Sequence, residues 1–459
     1  MIMKKLQLFA CAAVAVALGA CTESANPVLN IEGGKVQGVL CDSTDVIVYK
    51  GIPYAAPPVG ELRWKKPQPV APWDTVLIAN DFRNASVQAA HDPNDGAYGT
   101  EFFATDAPFS EDCIYLHVWT PKSAAGNPSA KLPVAMWIHG GAYTGGWSFE
   151  PEMDGEAWAE RGVILVTINY RLGVFGFLNH PLLTEEGGGH SGNYGTYDQA
   201  AALTWIKNNI AQFGGDPDNI TVFGQSAGAA SVKNMVISPM TKGMVKKAII
   251  QSIGGISGVF GDDLSQASLD AKAKAKYDAA GLTTLEQLRA ASWEELTQAA
   301  GNAWVDTTAV SFRPHNDGVL LVEDFNTAAF NNSLADVPYM IGSCANDMPG
   351  LAEGIQRFAE VRDSLSQQPT FVYFFDRPLP TDGRKSLEGS FHSSELWYVF
   401  HTLGRSWRPF TPADYELSNQ MVDYWTNFCK YGNPNGPAEG DWAKSTKSAP
   451  FVKTLKVSE

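Results

Sequence analysis

The pentapeptide Gly224-Gln225-Ser226-Ala227-Gly228 constrains this chain more than any other feature. It follows Ile220-Thr221-Val222-Phe223, an apolar, β-branched run that reads as a buried strand, and it opens Ala227 to Ile237, whose composition suits a helix. A serine at such a strand-to-helix turn needs glycines beside it, because only they admit the tight backbone and the close packing of helix on strand. The pentapeptide alone is a cheap pattern and also describes a plain turn. The surrounding elements therefore decide its meaning.

Those elements alternate. Val46 to Tyr49, Ile114 to Trp119, Val134 to Ile138, Val163 to Ile168, Ala248 to Ile250, Val337 to Ile341 and Phe371 to Phe375 read as strands, Val337 to Ile341 stopping at Gly342. Phe371 to Phe375 reads as the last strand. Asp198 to Phe213 has helix composition and ends at Gly214-Gly215, and Leu264 to Gly301 is Ala-rich, charged and helical in character. The Pro and Gly run from Gly51 to Gly60 reads as irregular surface. Strands alternating with helices predict one α/β unit, a doubly wound and mostly parallel sheet with helices on both faces, whose ligands bind beyond the carboxyl ends of the strands. With the elbow at Ser226, this predicts an α/β-hydrolase fold.

A serine hydroxyl is a poor nucleophile without a histidine base, and the base needs a carboxylate to hold its tautomer. In this fold the chain order is serine, acid, histidine. Of the eight histidines, His315, His392 and His401 follow Ser226. His392 comes after Phe371 to Phe375, in a loop able to reach the serine. His401 falls in the helical stretch beginning near Ser394 and otherwise reads as a structural histidine, and His315 precedes Val337 to Ile341. Asp347, just beyond Gly342, is the best-placed acid; Asp376 and Asp317 read as turn or cap residues. His139-Gly140-Gly141-Ala142 after a strand is the kind of motif whose backbone N–H groups receive a developing oxyanion, and Ala227 supplies another such group.

The N-terminus reads as an export signal rather than as part of the fold. Lys4 and Lys5 precede an apolar run from Leu6 to Ala20, and Leu18-Gly19-Ala20-Cys21 looks like a bacterial lipobox. Residues 1–20 are expected to be a signal peptide of lipoprotein type, with Cys21 lipidated as first residue of a single mature domain over 21–459; cleavage without lipid is the alternative. Either gives an envelope or secreted protein. The mature cysteines Cys41, Cys113, Cys344 and Cys429 then lie in a compartment that permits disulfides, at spacings that choose no pairing. No C-x-x-C pair or H-E-x-x-H helix appears, so no metal is expected. A formal charge of −15 argues against nucleic acid as partner and leaves a small molecule as the expected one, with no protein partner expected.

Several segments in order resemble the type B carboxylesterase family, which includes the cholinesterases and bacterial para-nitrobenzyl esterases. They are Gly51-Ile52-Pro53-Tyr54-Ala55, Ser110-Glu111-Asp112-Cys113-Ile114-Tyr115-Leu116, Asn169-Tyr170-Arg171-Leu172-Gly173, Asn193-Tyr194-Gly195, Phe213-Gly214-Gly215-Asp216-Pro217, the elbow, His392 and Tyr424-Trp425-Thr426-Asn427-Phe428. The resemblance implies Ser226 as nucleophile, Asp347 as acid, His392 as base, and an oxyanion hole from the backbone of Gly141, Ala142 and Ala227. It also implies hydrolysis of carboxylic esters through an acyl-enzyme, with no cofactor. A lipase with the same residues, or a non-catalytic adhesion protein on the same fold, is the alternative reading. Gln225 stands where the family usually has glutamate, which turns the expectation from cationic to neutral esters. Phe103 stands where cholinesterases place a choline-binding tryptophan, Asp347 replaces a commoner glutamate, and Ser252 to Val337 is short. Cys113 matches a family disulfide position, but the region of its partner carries Ser86. Trp147, Phe149, Trp304 and Phe312 are candidates for a gorge wall, and equally for plain packing.

Overall fold

In the computed structural model the apolar runs become strands whose successive side chains serve opposite faces of one sheet. Val134, Met136, Ile138, Ile220, Val222, Ala248, Ile250, Tyr339 and Ile341 join one buried cluster, while Ala135, Trp137, Phe223, Ile249 and Met340 join another. This alternation explains why the runs are apolar throughout: both faces are covered. The first cluster continues into the helices Tyr194–Asn209 and Ala227–Ile237, the second into Pro412–Tyr431. The structure describes residues 26–42, 44–90, 96–102, 107–256, 265–303, 305–438 and 440–457.

Among these residues the main sheet has 12 strands. Ile164–Ile168, Leu132–Ile138, Gly215–Gln225, Val245–Gln251, Tyr339–Cys344, Thr370–Phe375 and Lys453–Leu455 lie side by side and parallel. Tyr115–Pro121, Val46–Pro53, Gly34–Leu40 and Val28–Ile31 extend the other edge antiparallel, with Val76–Ala79 beside Gly34–Leu40. The fold is that of an α/β hydrolase, and the strand Gly215–Gln225 occupies the middle of its parallel body.

Several boundaries differ from the sequence expectations. The helix Ala227–Ile237 agrees with its expected bounds. Val46 to Tyr49 instead continues to Pro53, because Gly51 and Ile52 are buried against Tyr115–Pro121 rather than lying in an irregular surface segment. Tyr339–Cys344 passes through Gly342, which a neighbouring ring explains: a methyl group on Gly342 would come within 2.4 Å of Tyr373. Thr370–Phe375 is followed by a further strand, Lys453–Leu455, too short and too polar to stand out. The helical stretch after Leu264 divides into Gln266–Ala279, Leu285–Ala290 and Trp293–Ala300; Thr284 and Ser292 each form a capping box that starts a new helix.

One buried ion pair ties the loop after Ile164–Ile168 to the helix Tyr194–Asn209. Arg171 and Asp198 side chains are 2 % and 0 % exposed, and the guanidinium donates to the carboxylate at 2.8 Å from Nε and 2.7 Å from Nη2. The Arg171 backbone N–H adds a third bond to Asp198 at 3.0 Å. Removing one partner leaves the other charge buried and unpaired. The variant Asp198→Asn is therefore expected to lose about 3–5 kcal/mol of stability, read as a lower urea midpoint with unchanged m-value.

Candidate active site

Ser226 is the first residue past the central strand, at φ 56° and ψ −126°, a conformation that a non-glycine residue adopts only under constraint. The constraint is visible on both sides. Ser226 N–H donates to Gln251 O at 2.9 Å, and Ala230 N–H donates to Ser226 O at 2.9 Å, closing the first helical turn. The glycines permit the approach: a methyl group on Gly228 would lie 2.0 Å from Ile138 O, and one on Gly224 would lie 2.5 Å from the Gly228 carbonyl carbon.

The other candidates converge from neighbouring strand ends. Asp347 follows Tyr339–Cys344, and His392 follows Thr370–Phe375 after a loop that returns to pair Asn346 with Phe391. His392 Nδ1 lies 2.7 Å from Asp347 Oδ1, with side-chain exposures of 17 % and 3 %. Burial pushes the Asp347 carboxyl upward, but bonds from His392, Ser252 and the Met348 N–H outweigh it and hold it below the usual carboxylate range. It therefore stays an acceptor, and His392 Nδ1 carries the hydrogen between them. His392 Nε2 is left facing the elbow, where the Gln225 amide nitrogen lies 3.2 Å away. The Ser226 hydroxyl makes no hydrogen bond among the described residues.

The loop after Leu132–Ile138 comes down beside the elbow. A methyl group on Gly140 would meet Gln225 O at 2.9 Å and Ser226 Cβ at 3.2 Å. Gly141, Ala142 and Tyr143 all have positive φ, and Gly141 and Ala142 are exposed. The backbone N–H groups of Gly141 and Ala142 donate to no described residue, and that of Ala227 belongs to the free first turn of its helix. Three unspent donors thus lie on the two segments next to the serine, Ala227 directly after it and Gly141 and Ala142 after Gly140. The loop is pinned from behind: Gly146 N–H donates to Gln88 Oε1 at 2.8 Å, Trp147 N–H to Glu150 Oε1 at 2.8 Å, and Ser148 N–H to Asn169 Oδ1 at 2.8 Å. His139 stacks on Tyr170 at 4.5 Å, and burial pushes it down to about 4, so the ring beside the loop is neutral.

Two residues without a role in the sequence reading complete the site. Ser252 follows the strand next to the elbow, also at positive φ, and its hydroxyl reaches both Asp347 and Glu395 Oε1, the latter at 3.4 Å. Glu395 is fully buried behind His392, accepts from Cys344 Sγ at 3.0 Å and Gln251 Nε2 at 3.3 Å, and burial raises its carboxyl. The available signal was positional: Ser252 ends a strand as Ser226 does, and Glu395 lies one turn past His392.

The remaining candidates have other surroundings. His401 Nδ1 lies 2.8 Å from Ser418 Oγ, and His315 Nε2 lies 3.0 Å from Gln266 Oε1, so both are held in polar contacts of their own. Asp317 accepts from the N–H groups of Val319, Leu320 and Leu321, as a turn residue does, and Asp376 is exposed. Trp147 packs with Ala85, Phe109 and Phe149, and Phe312 against the core. Cys41, Cys113, Cys344 and Cys429 are free thiols, and the Cys113 thiol interacts with the Ser86 hydroxyl. Cys21, Phe103, Trp304 and the N-terminal segment 1–20 lie outside the described residues.

Comparison with known proteins agrees with this architecture. The model of the carboxylesterase family matches residues 25–366 and 351–458. A para-nitrobenzyl esterase of Bacillus subtilis (strain 168) is 36% identical over 90% of this chain and 91% of its own length. A fumonisin B1 esterase of Sphingopyxis macrogoltabida is 31% identical over 95% of this chain and 88% of its own. A solved PNB esterase superposes with a TM-score of 0.80 at 28% identity, covering 94% of this chain and 96% of that one.

Behind the loop that carries Gly141 and Ala142 lies a pair of acidic residues. Burial pushes Glu150 up to about 7, and burial together with the charge of Glu150 raises Glu152 well above the ordinary range. A carboxyl whose folded value is raised favours the folded state while protonated and loses that advantage as pH rises through the folded value. The protein is expected to lose thermal stability through this pair as pH rises from about 5 through about 7, the folded value of Glu150. In Glu152→Gln, whose amide can donate to Glu150 without a shared proton, the melting temperature should fall less over that range.

Proposed function

Because the chain belongs to the carboxylesterase family and is a carboxylic ester hydrolase, we propose that Ser226 is its nucleophile, His392 its general base and Asp347 the acid that orients the base. The observation that carries this reading is the 2.7 Å contact between His392 and Asp347 above the strained Ser226 elbow. His392 Nε2 takes the Ser226 proton as Oγ attacks the ester carbonyl, and the N–H groups of Gly141, Ala142 and Ala227 receive the oxyanion. His392 then returns the proton to the leaving alcohol. A water deprotonated by the same nitrogen attacks the acyl-enzyme and frees Ser226.

The substrates in this reading are neutral carboxylic esters. Gln225, 3 % exposed beside the base, puts an uncharged amide where a carboxylate would draw a cationic alcohol. Ser226→Ala is expected to lower turnover of an activated aryl ester by a factor on the order of a million and to abolish covalent labelling by a fluorophosphonate. Near-normal turnover in that variant would overturn the assignment.

For location, the reading is a bacterial lipoprotein held at the envelope by lipid on Cys21, after removal of residues 1–20. The lipobox-like Leu18-Gly19-Ala20-Cys21 supports it. Cys21→Ser should move the esterase from the membrane fraction to the soluble one; unchanged fractionation counts against the lipid.

A further inference from the structure

The base of this site is engaged by a group that the ester-hydrolysis scheme does not use. With the Nδ1 hydrogen directed to Asp347, neutral His392 has one lone pair left, on Nε2. The group 3.2 Å from that lone pair is the Gln225 amide nitrogen, and the Ser226 hydroxyl is bonded to neither. An amide nitrogen has no acceptor lone pair, so the contact is a hydrogen bond only in one sense: Gln225 N–H donates to His392 Nε2. Gln225 lies close to Gly140. It is 3 % exposed, and its Oε1 lies 3.2 Å from where a methyl group on Gly140 would stand.

We propose that Gln225 is a positioning residue for the base: its amide holds neutral His392 turned toward the elbow at rest, and rotates to present Oε1 when Nε2 has taken the serine proton. The inference rests on the reading of His392 as base. The proton balance is simple. In the resting site the hydrogen between the two residues belongs to Gln225. After attack the Ser226 proton sits on His392 Nε2, and two N–H groups face each other unless the amide turns. The turn costs no net proton, and Gly140, which carries no side chain, leaves the room for it.

Among the described residues, the groups facing His392 and Gln225 are few. Asp347 and Glu395 approach from the strand end and from behind the histidine, Cys344 and Tyr98 lie beside them, and His139 stands across Gly140. Tyr98 donates to His392 O at 3.4 Å, and burial pushes its phenol up to about 12. Cys344 is raised well above the thiol range and His139 lowered to about 4, both by burial, so in the neutral range Asp347 and Glu395 are the facing groups able to carry charge. A carboxylate at position 225 would add another within reach of the imidazolium, where an opposite charge favours the protonated ring.

Two substitutions separate the donor from the charge. In Gln225→Met, of similar volume but with no donor or acceptor, kcat should fall about tenfold or more with KM little changed, because the base alone is affected. In Gln225→Glu the acid limb of kcat/KM should move up by about one pH unit or more. Wild-type kcat in Gln225→Met, or an unmoved acid limb in Gln225→Glu, overturns the inference, thermal melts confirming that each variant is folded. His392→Ala, assayed by fluorophosphonate labelling, tests the underlying reading separately. If labelling persists there, the base assignment fails; if labelling is lost while both Gln225 variants behave as wild type, only the role of Gln225 fails.

Discussion

The backbone reversal at Ser226 is the constraint on which the rest of this structure depends. A residue held in so sparsely populated a conformation costs on the order of 1–3 kcal/mol, and it persists only because its surroundings leave no alternative. Those surroundings are the middle of the sheet. The strand Gly215–Gln225 has parallel partners on both sides, Leu132–Ile138 and Val245–Gln251, and both neighbours end in parts of the site. One leads into Gly140 and the loop that carries Gly141 and Ala142, the other into Ser252. Strain at the serine is thus balanced by ladder hydrogen bonds and by burial of both sheet faces, not by contacts local to the elbow.

The electrostatics follow the same order. Charges far from the serine are paired and buried, as in Arg171 with Asp198, or Arg408 with Glu101 at 0 % exposure on both sides, where the guanidinium also donates to Pro380 O and Leu387 O. Near the serine the pattern changes to protonated or neutral groups: Glu150 with Glu152, the Cys344 thiol, neutral His139 and the Gln225 amide. The exceptions are Asp347, kept ionised by its hydrogen-bond donors, and Glu395, whose carboxyl burial raises. Few fixed charges therefore lie beside Ser226, and in the proposed reaction a charge forming there would meet oriented N–H dipoles instead of competing ions.

Much of the fold was legible from the chain because fully buried parallel strands leave continuous apolar runs. Val134 to Ile138 and Ile220 to Phe223 are plain for that reason. Where burial is one-sided or partial the signal fades. Gly34–Leu40 and Lys453–Leu455 lie at or near sheet edges and mix polar with apolar residues, and Val76–Ala79 is apolar but only four residues long and mostly uncovered, so none of the three stands out in the chain. Breaker residues misled where tertiary packing overrode them: Gly342 sits inside a strand because the Tyr373 ring lies over it, and Gly51 does so because Asp81 and Arg83 pack on it and its N–H donates to His117 Nδ1.

The amino-acid sequence alone determined the elbow, the order of serine, acid and histidine, and the alternation of strand and helix that makes one parallel sheet, since all of these are local patterns of size, polarity and glycine placement. Only the tertiary structure decided which groups touch. That Gln225 meets His392, that Ser252 links Asp347 to Glu395, and that Cys113 faces Ser86 all depend on residues tens to hundreds of positions apart arriving at one point. Their side chains carry no periodic trace of that meeting, because hydrogen bonds across strand ends are specified by the packing of the whole sheet and not by neighbours in the chain.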